Sequence, residues 1–528
     1  MNWAQYEAKK LIERHPNREE FVVASGVSPS GFIHIGNFRE IVTTFFVSKE
    51  LERLGKKVRF ILSFDDFDRF RKVPSGIDKE YEKYIGMPYS SIPSPFNSNK
   101  TYAREMEERF INELAQLDIH PEFISQTEQY KSGRYREKIK LAMQERKRIF
   151  DILAKYKTQE FTEEDRENYY PISLYCDNCG KDNTVITNYN PNTGDISYRC
   201  SCGYQHTENI NEKTNMKLQW KVDWPMRWQE EGVLLEPGGR DHSAENGSYA
   251  VSREISREIF HYEAPYYIPY DFIGIKGANG KMASSTGNVL TLTDLLSVYD
   301  MHLILWFYAK NMPSHAFNIA LDDDVLRFYT EFDRLVKAYF NQKLDANNAN
   351  VISLTGVKES YVNNPDFATI ANFLPMVNYN IESLKRLLNY DNMNCTPEQF
   401  DSRVLKASSW LNAYGNSKVI IRNEFNQEYY DTLTDEEKEL IRDTLSVLQD
   451  DYENSGALQN ALYQVINKGV MDMNELKAKQ KRYFEIIYNM IIGCSRGPKL
   501  GLLLSAIDKK VIKILLDSNE KRKAIVKF

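Results

Sequence analysis

Short apolar runs alternate with amphipathic stretches through the first half of the chain. Residues 21–27 (FVVASGV) and 58–64 (VRFILSF) are short apolar runs, the pattern of strands buried on both faces. Between them, residues 35–54 predict a helix ended by Gly55. Residues 106–117 predict a further helix, Glu122–Ser125 a short strand, and 135–156 one long helix. Residues 233–236 and 267–273 read as strands, with a helical pattern at 248–260 between them. Such alternation predicts an α/β unit, a parallel sheet with helices on both faces, whose ligands sit at the carboxyl ends of the strands.

Two stretches break the rhythm. Residues 160–215 are polar, rich in Asn, Thr and Tyr, and read as an insertion. After residue 322 strand signals fade; a polar stretch at 341–366 suggests a loop region within or beside helices. From residue 368 onward helical patterns dominate, as in 478–492. A chain of 528 residues exceeds one compact core, so two or three domains are expected.

Composition narrows the setting. No run of about 18 apolar residues occurs, and the first residues are polar, so neither a membrane span nor a signal peptide is predicted and a soluble cytoplasmic protein is expected. A net charge of −6 argues against a generally basic nucleic-acid binder, although it allows a local basic surface. Four of the six cysteines crowd together as Cys176-x-x-Cys179 and Cys200-x-Cys202, each pair followed by glycine. Four thiolates suit a closed tetrahedral structural zinc site, with His206 as a substitute ligand; free cysteines in a small hairpin are the alternative.

The segment 25–37 (SGVSPSGFIHIGN) carries the most chemistry. A buried strand runs into Pro29 and Gly31, and His34-Ile35-Gly36-Asn37 opens a helix. A helix N-terminus offers free N–H groups and partial positive charge to a phosphate. Gly31 and Gly36 permit close approach, and His34 can donate a hydrogen bond as charge develops. Taken alone, this is equally an ordinary strand–helix turn. Residues 280–288 (GKMASSTGN) place Lys281 among small residues, with Ser284, Ser285 and Thr286 as hydroxyl donors; a mobile cation there can stabilise departing pyrophosphate.

The run P-x-G-x-x-HIGN followed by KMASS resembles the two signature motifs, usually HIGH and KMSKS, of class I aminoacyl-tRNA synthetases. Asn37 replaces the last histidine and Ser284 the second lysine, leaving Lys281 as the cation of its motif. Residues 217–228 (KLQWKVDWPMRW), 236–242 (EPGGRDH), 247–249, 63–74 (SFDDFDRFRKVP) and the KMxSS form are similar to the class I lysyl enzymes, over about residues 21–290.

That resemblance implies a Rossmann-like catalytic domain at 1–322, carrying a zinc-ribbon-like insertion at about 160–215, and an all-α domain at 323–528 that binds the tRNA anticodon. It implies ATP with Mg2+, lysine and tRNA(Lys) as substrates and partners, zinc as a structural metal, and a monomer. His34, Asn37 and Lys281 would be catalytic, and Pro29, Gly31, Gly36, Ser284 and Ser285 would complete the ATP site. Gly26, Ser28, Trp220, Asp241, His242 and Tyr270 would surround the amino acid. A lysine pocket also needs acids for two ammonium groups and an aromatic wall for the methylenes; Asp65, Asp66, Asp223 and Asp241 are candidate acids, and Trp220, Trp224 and Tyr270 candidate walls. Which acid holds the ε-ammonium stays open. No large editing domain and no second metal site at 95–102 are expected. In the helical half, Lys406, Lys418, Arg422, Arg496, Lys499 and 521–523 suit tRNA binding. A glutamate enzyme, or a tRNA-binding paralogue without catalysis, remains as the alternative.

Overall fold

The computed structural model describes residues 1–157, 159–277, 289–377, 379–415, 420–467 and 473–519. These divide into two compact units. The first comprises Met1–Ala320 and Gln342–Val357, the second Leu321–Asn341 and Lys358–Phe528.

The first unit is built on a five-stranded parallel sheet. Its strands are β1 (Glu20–Val27), β2 (Lys57–Phe64), β3 (Glu122–Ser125), β9 (Leu235–Gly239) and β10 (Tyr266–Tyr270), in the spatial order β10-β9-β1-β2-β3. Strand order therefore reverses between β1 and β9, which opens a crevice at their carboxyl ends. Helix α1 (Trp3–Arg14) precedes β1; α2 (Ile35–Arg53) joins β1 to β2, and α3 (Tyr102–Gln116) lies between β2 and β3. Helix α2 buries Ile35, Phe38, Ile41, Val42, Phe46 and Val47, so it is clamped into the core rather than laid on the surface. Its buried Arg39 donates to the carbonyls of Met312 (2.6 Å), Pro313 (2.9 Å) and His315 (3.1 Å). Those bonds, all from one guanidinium nitrogen, offset part of the cost of burying the charge.

The insertion is a small ribbon. Strands β4 (Ile172–Leu174) and β8 (Met216–Leu218) pair antiparallel at its base. Above them β5 (Thr184–Asn190), β6 (Asp195–Cys200) and β7 (Gln205–Asn209) form an antiparallel sheet. Helices α4 (Trp220–Glu231) and α5 (Ser248–Glu258) flank β9 along the chain.

Three expected elements differ. The long helix at 135–156 is two helices, Arg136–Gln144 and Arg146–Lys155, which meet at Glu145. The strand expected at 233–236 runs instead through Leu235–Gly239, carried by backbone pairing rather than by apolar side chains. The strand expected at 267–273 stops at Tyr270; Ile273–Ile275 pairs separately with Phe317–Ile319. The polar stretch after residue 341 holds a helix, Ala346–Leu354, capped by Asp345.

The described residues of the second unit contain helices and no strand. Among them are α6 (Asp324–Phe340), α7 (Phe367–Met376), α8 (Pro397–Ala413), α9 (Ser455–Ile466), α10 (Met473–Ile492) and α11 (Leu500–Ala506). Tyr329 stacks on Phe367 at 3.8 Å, and buried Arg403 is held by Asp333 and the Tyr361 hydroxyl, each at 2.9 Å. No helix among the described residues is long and apolar enough to cross a membrane.

Candidate active site

The crevice at the ends of β1, β9 and β10 is a cleft of about 570 Å3. At its rim the chain leaves β1 through Ser28 and enters α2. The N-cap of α2 is His34, in an extended conformation (φ −111°, ψ 170°). Its Nδ1 accepts from the Gly36 N–H (3.0 Å), while Asn37 Oδ1 accepts from the His34 N–H (3.2 Å). The reciprocal bonds form a capping box built from a histidine and an asparagine. Because Nδ1 is an acceptor, the neutral ring carries its proton on Nε2, the tautomer able to donate to a ligand. Asn37 spends its carbonyl on the cap and keeps its amide protons as donors. Gly36 is required by this cap: a Cβ there would lie 2.8 Å from the His34 ring.

His34, Gly36 and Asn37 line the cleft together with Gly26, Ser28 and Tyr270. So do Trp220, Asp241 and His242. Pro29 and Gly31 do not; both are buried in the turn behind the lining and shape it. Lys281, Ser284 and Ser285, like Lys418 and residues 521–523, lie outside the described residues. The chain returns from the Lys281 segment against the cap: Leu290 accepts from the Ile35 N–H (2.9 Å), and Thr291 bridges His34.

Trp220 and Trp224 stack at 5.1 Å and 17°, forming an aromatic wall, and His242 meets Trp224 edge-on. The acids beside this wall are sorted by their partners. Asp65 pairs with buried Arg227 (2.8 Å), and Asp68 is engaged by Lys217. Asp223 is fully buried between Arg227 (2.8 Å) and the Tyr130 hydroxyl, away from the cleft lining. Asp66 accepts from the Thr127 N–H (2.7 Å) and also stands outside the lining. Asp66 and Asp223, expected as candidate pocket acids, thus do not line the cleft: the first is engaged at a helix start and the second in a buried ion network.

The acid that sequence reasoning passed over is Glu40, on the cleft face of α2. Its carboxylate accepts from the Gly26 N–H (2.8 Å) and from the Tyr270 hydroxyl (2.8 Å). Both donors are neutral. Burial pushes Glu40 up to about 8, with nearby Glu236 adding to the shift. Glu236 is itself raised by burial to about 7 and accepts from Trp228 Nε1 (2.6 Å). The signal was the adjacent pair Arg39-Glu40 set between apolar Phe38 and Ile41-Val42, since buried charges need a reason.

In the ribbon, the four thiols of Cys176, Cys179, Cys200 and Cys202 converge within 4.8 Å of one another, and none forms a disulfide. Cys176–Cys202 and Cys179–Cys200 are 3.9 and 3.6 Å apart. Sulfurs on a tetrahedral zinc are about 3.8 Å apart. Gly180 and Gly203 take the left-handed turns (φ +69° and +89°) that fold each pair back on itself. The Tyr204 N–H and the Asn178 amide hold the Cys202 thiol low, whereas burial raises Cys179. His206, the expected substitute ligand, instead packs against Tyr204 and Tyr198.

A parallel sheet with this strand order, a capped HIGN turn at its switch point and a cleft of paired tryptophans and acids define the class: that of the class I aminoacyl-tRNA synthetases. Residues 1–358 match the model of the family described as tRNA synthetases class I (K). A lysine–tRNA ligase of Pyrococcus furiosus is 34% identical, covering 97% of this chain and 98% of its own. Those of Treponema pallidum (32%; 96% and 96%) and Streptomyces coelicolor (33%; 98% and 98%) are similar over the same extent. A glutamate tRNA ligase of Elizabethkingia meningosepticum overlays with a TM-score of 0.43 at 13% identity, covering 94% of this chain and 98% of that one. The chain belongs to the class I lysyl-tRNA synthetase family.

Proposed function

We infer that the protein is an ATP-dependent lysine–tRNA ligase, and the observation that carries the choice of lysine is Glu40. A lysine side chain is a tetramethylene stem ending in a compact cation. The Trp220–Trp224 wall suits the stem, and Glu40, held by neutral donors alone, is the carboxylate suited to the ε-ammonium. A glutamate side chain would instead bring its own carboxylate against two buried carboxyl groups, Glu40 and Glu236, neither of which offers it a cation.

In the first step the lysine carboxylate attacks the α-phosphorus of ATP and pyrophosphate departs, giving lysyl-adenylate. His34 Nε2–H and the Asn37 amide donate to the phosphate oxygens as charge shifts onto them. Lys281 adds its cation, and Ser284 and Ser285 their hydroxyls. In the second step the terminal ribose 2′-hydroxyl of tRNA attacks the adenylate carbonyl and AMP leaves. No side chain forms a covalent intermediate; the residues position and stabilise charge. Mg2+ carried with ATP would supply charge neutralisation on the triphosphate. Cys176, Cys179, Cys200 and Cys202 would hold zinc, which would stabilise a ribbon whose strands are largely polar. The helical unit serves the tRNA anticodon end, and the enzyme works as a monomer in the cytoplasm.

The test is charging of tRNA with each of the twenty labelled amino acids in ATP and Mg2+, with tRNA in every reaction. Incorporation of lysine alone, abolished in Lys281→Ala, is expected. Incorporation of glutamate would overturn the amino-acid assignment, and no incorporation would leave a non-catalytic tRNA binder.

A further inference from the structure

The ribbon and the cleft share one core. Cys176 and Cys200 are buried in an apolar cluster that also contains Phe67, from the segment after β2, and Val222 and Met226 of α4. Helix α4 is the one that carries Trp220 and Trp224. Two of the four thiols therefore sit in packing continuous with the wall of the amino-acid pocket. Tyr175, beside Cys176, lays its ring against Phe67 (5.2 Å) and donates its hydroxyl to the Phe67 carbonyl (2.7 Å).

Polar links follow the same route. The Cys176 N–H donates to the Lys181 carbonyl (2.9 Å), closing the first cysteine turn. The next residue, Asp182, donates its N–H to the Gly86 carbonyl (2.9 Å) and pairs with Arg69 (3.3 Å). Residues 66–70 and 86–90 are in turn tied together by the bonds Phe70 N–H to Met87 (2.7 Å), Gly86 N–H to Phe70 (2.9 Å), Tyr89 N–H to Asp68 (3.0 Å) and Ser90 N–H to Asp66 (3.0 Å). Asp68 and Tyr89, on these two segments, line the cleft. At the ribbon base, buried Lys217 on β8 engages Asp68 and lies 3.6 Å from Asp223. Asp223 and Asp65 each lie 2.8 Å from Arg227, whose guanidinium is 5.3 Å from the Trp220 ring. A metal turn that served the ribbon alone would need none of the bonds to Phe67, Arg69 and Gly86.

We propose that Tyr175, Asp182 and Lys217 are positioning residues for the amino-acid pocket, through which zinc on the four cysteines and lysine at the Trp220–Trp224 wall strengthen each other's binding. The proposal rests on the lysine reading of the cleft. Dense packing and a continuous ion network are the physical means by which one site biases another. Linkage makes the effect reciprocal: the factor that zinc adds to lysine affinity, lysine adds to zinc affinity.

The experiment takes the full chain loaded with zinc and sets it in equilibrium with a chromogenic chelator at pH 8, with and without saturating lysine. Lysine should tighten zinc retention about fivefold. Tyr175→Phe keeps the ring and loses only the bond to Phe67. It should still hold zinc, but with that factor falling towards one and the lysine Kd, read by calorimetry, raised. Asp182→Asn keeps the N–H bond to Gly86 and loses the charge pair with Arg69, and should move both in the same direction. Ser197→Ala, which removes a hydroxyl pair with Thr207 (2.8 Å) between β6 and β7, is the control. Hydrogen exchange at residues 66–72 should quicken in Tyr175→Phe and stay as it is in Ser197→Ala. The proposal falls if lysine leaves zinc retention unchanged, or if Tyr175→Phe and Asp182→Asn match Ser197→Ala in coupling and exchange. Failure of the ligase reading would look different: glutamate in place of lysine would tighten the zinc, and the coupling would stand.

Discussion

A single side chain sets how the amino-acid pocket responds to pH. Glu40 is protonated below about 8 in the empty cleft, whereas the lysine ammonium requires its carboxylate. Binding below that point must therefore release a proton. The KM for lysine should rise as pH falls from 8 towards 6, approaching about tenfold per unit. Glu40→Gln should flatten that profile and raise the KM about 100-fold, the scale for losing one partner of a buried charge pair, with the KM for ATP unmoved. A steep profile retained in Glu40→Gln would assign the proton elsewhere. His34 offers a second residue-scale check. Gly36→Ala places a methyl against its ring, so kcat should drop about 100-fold in a protein of unchanged circular dichroism. Unchanged kcat would mean the ring's placement is immaterial. The HIGN turn was legible because a strand, a turn and a helix start are local and close in sequence. Glu40 was not, because which face of α2 meets the cleft is decided by packing against the sheet.

Among the elements, the ribbon makes the sharpest forecast. It should hold about one zinc per chain, and Cys202→Ser or a strong chelator should remove it. Loss of metal should make the ribbon sensitive to protease while the parallel sheet keeps its resistance. A ribbon equally resistant without metal would show that packing suffices. The cysteine spacing disclosed this element because two tight turns bring four thiols together by local geometry. Strand β9 was harder: LEPGG is buried throughout, yet proline and glycine are poor strand residues, and only its backbone bonds to β10 make it one. The break at Glu145 was hidden for the opposite reason, since the apolar period runs on across it.

For the whole molecule, two compact units predict calorimetric unfolding in two components rather than one. Lysine with ATP should raise only the component belonging to the first unit, by about 3 kcal/mol at roughly a hundred times Kd. A single transition moved as a whole would show that the units unfold together. The gross division into an α/β half and a helical half was visible in the fading of strand patterns. The return of residues 342–357 to the first unit was not, because hydropathy along the chain carries no record of which unit a helix joins.

That return has a consequence for how the protein is made. Asn2, which caps α1, donates to the carbonyl of Asn350 (3.2 Å), and Thr355 is held by His302 (2.9 Å). The catalytic unit thus waits for a strip translated after Leu321–Asn341, a piece of the other unit, has already emerged. At about 5–20 residues per second, its earliest residues remain without their last neighbours for tens of seconds. A nascent chain halted after residue 320 would expose that seam, making it the natural place for a chaperone to hold.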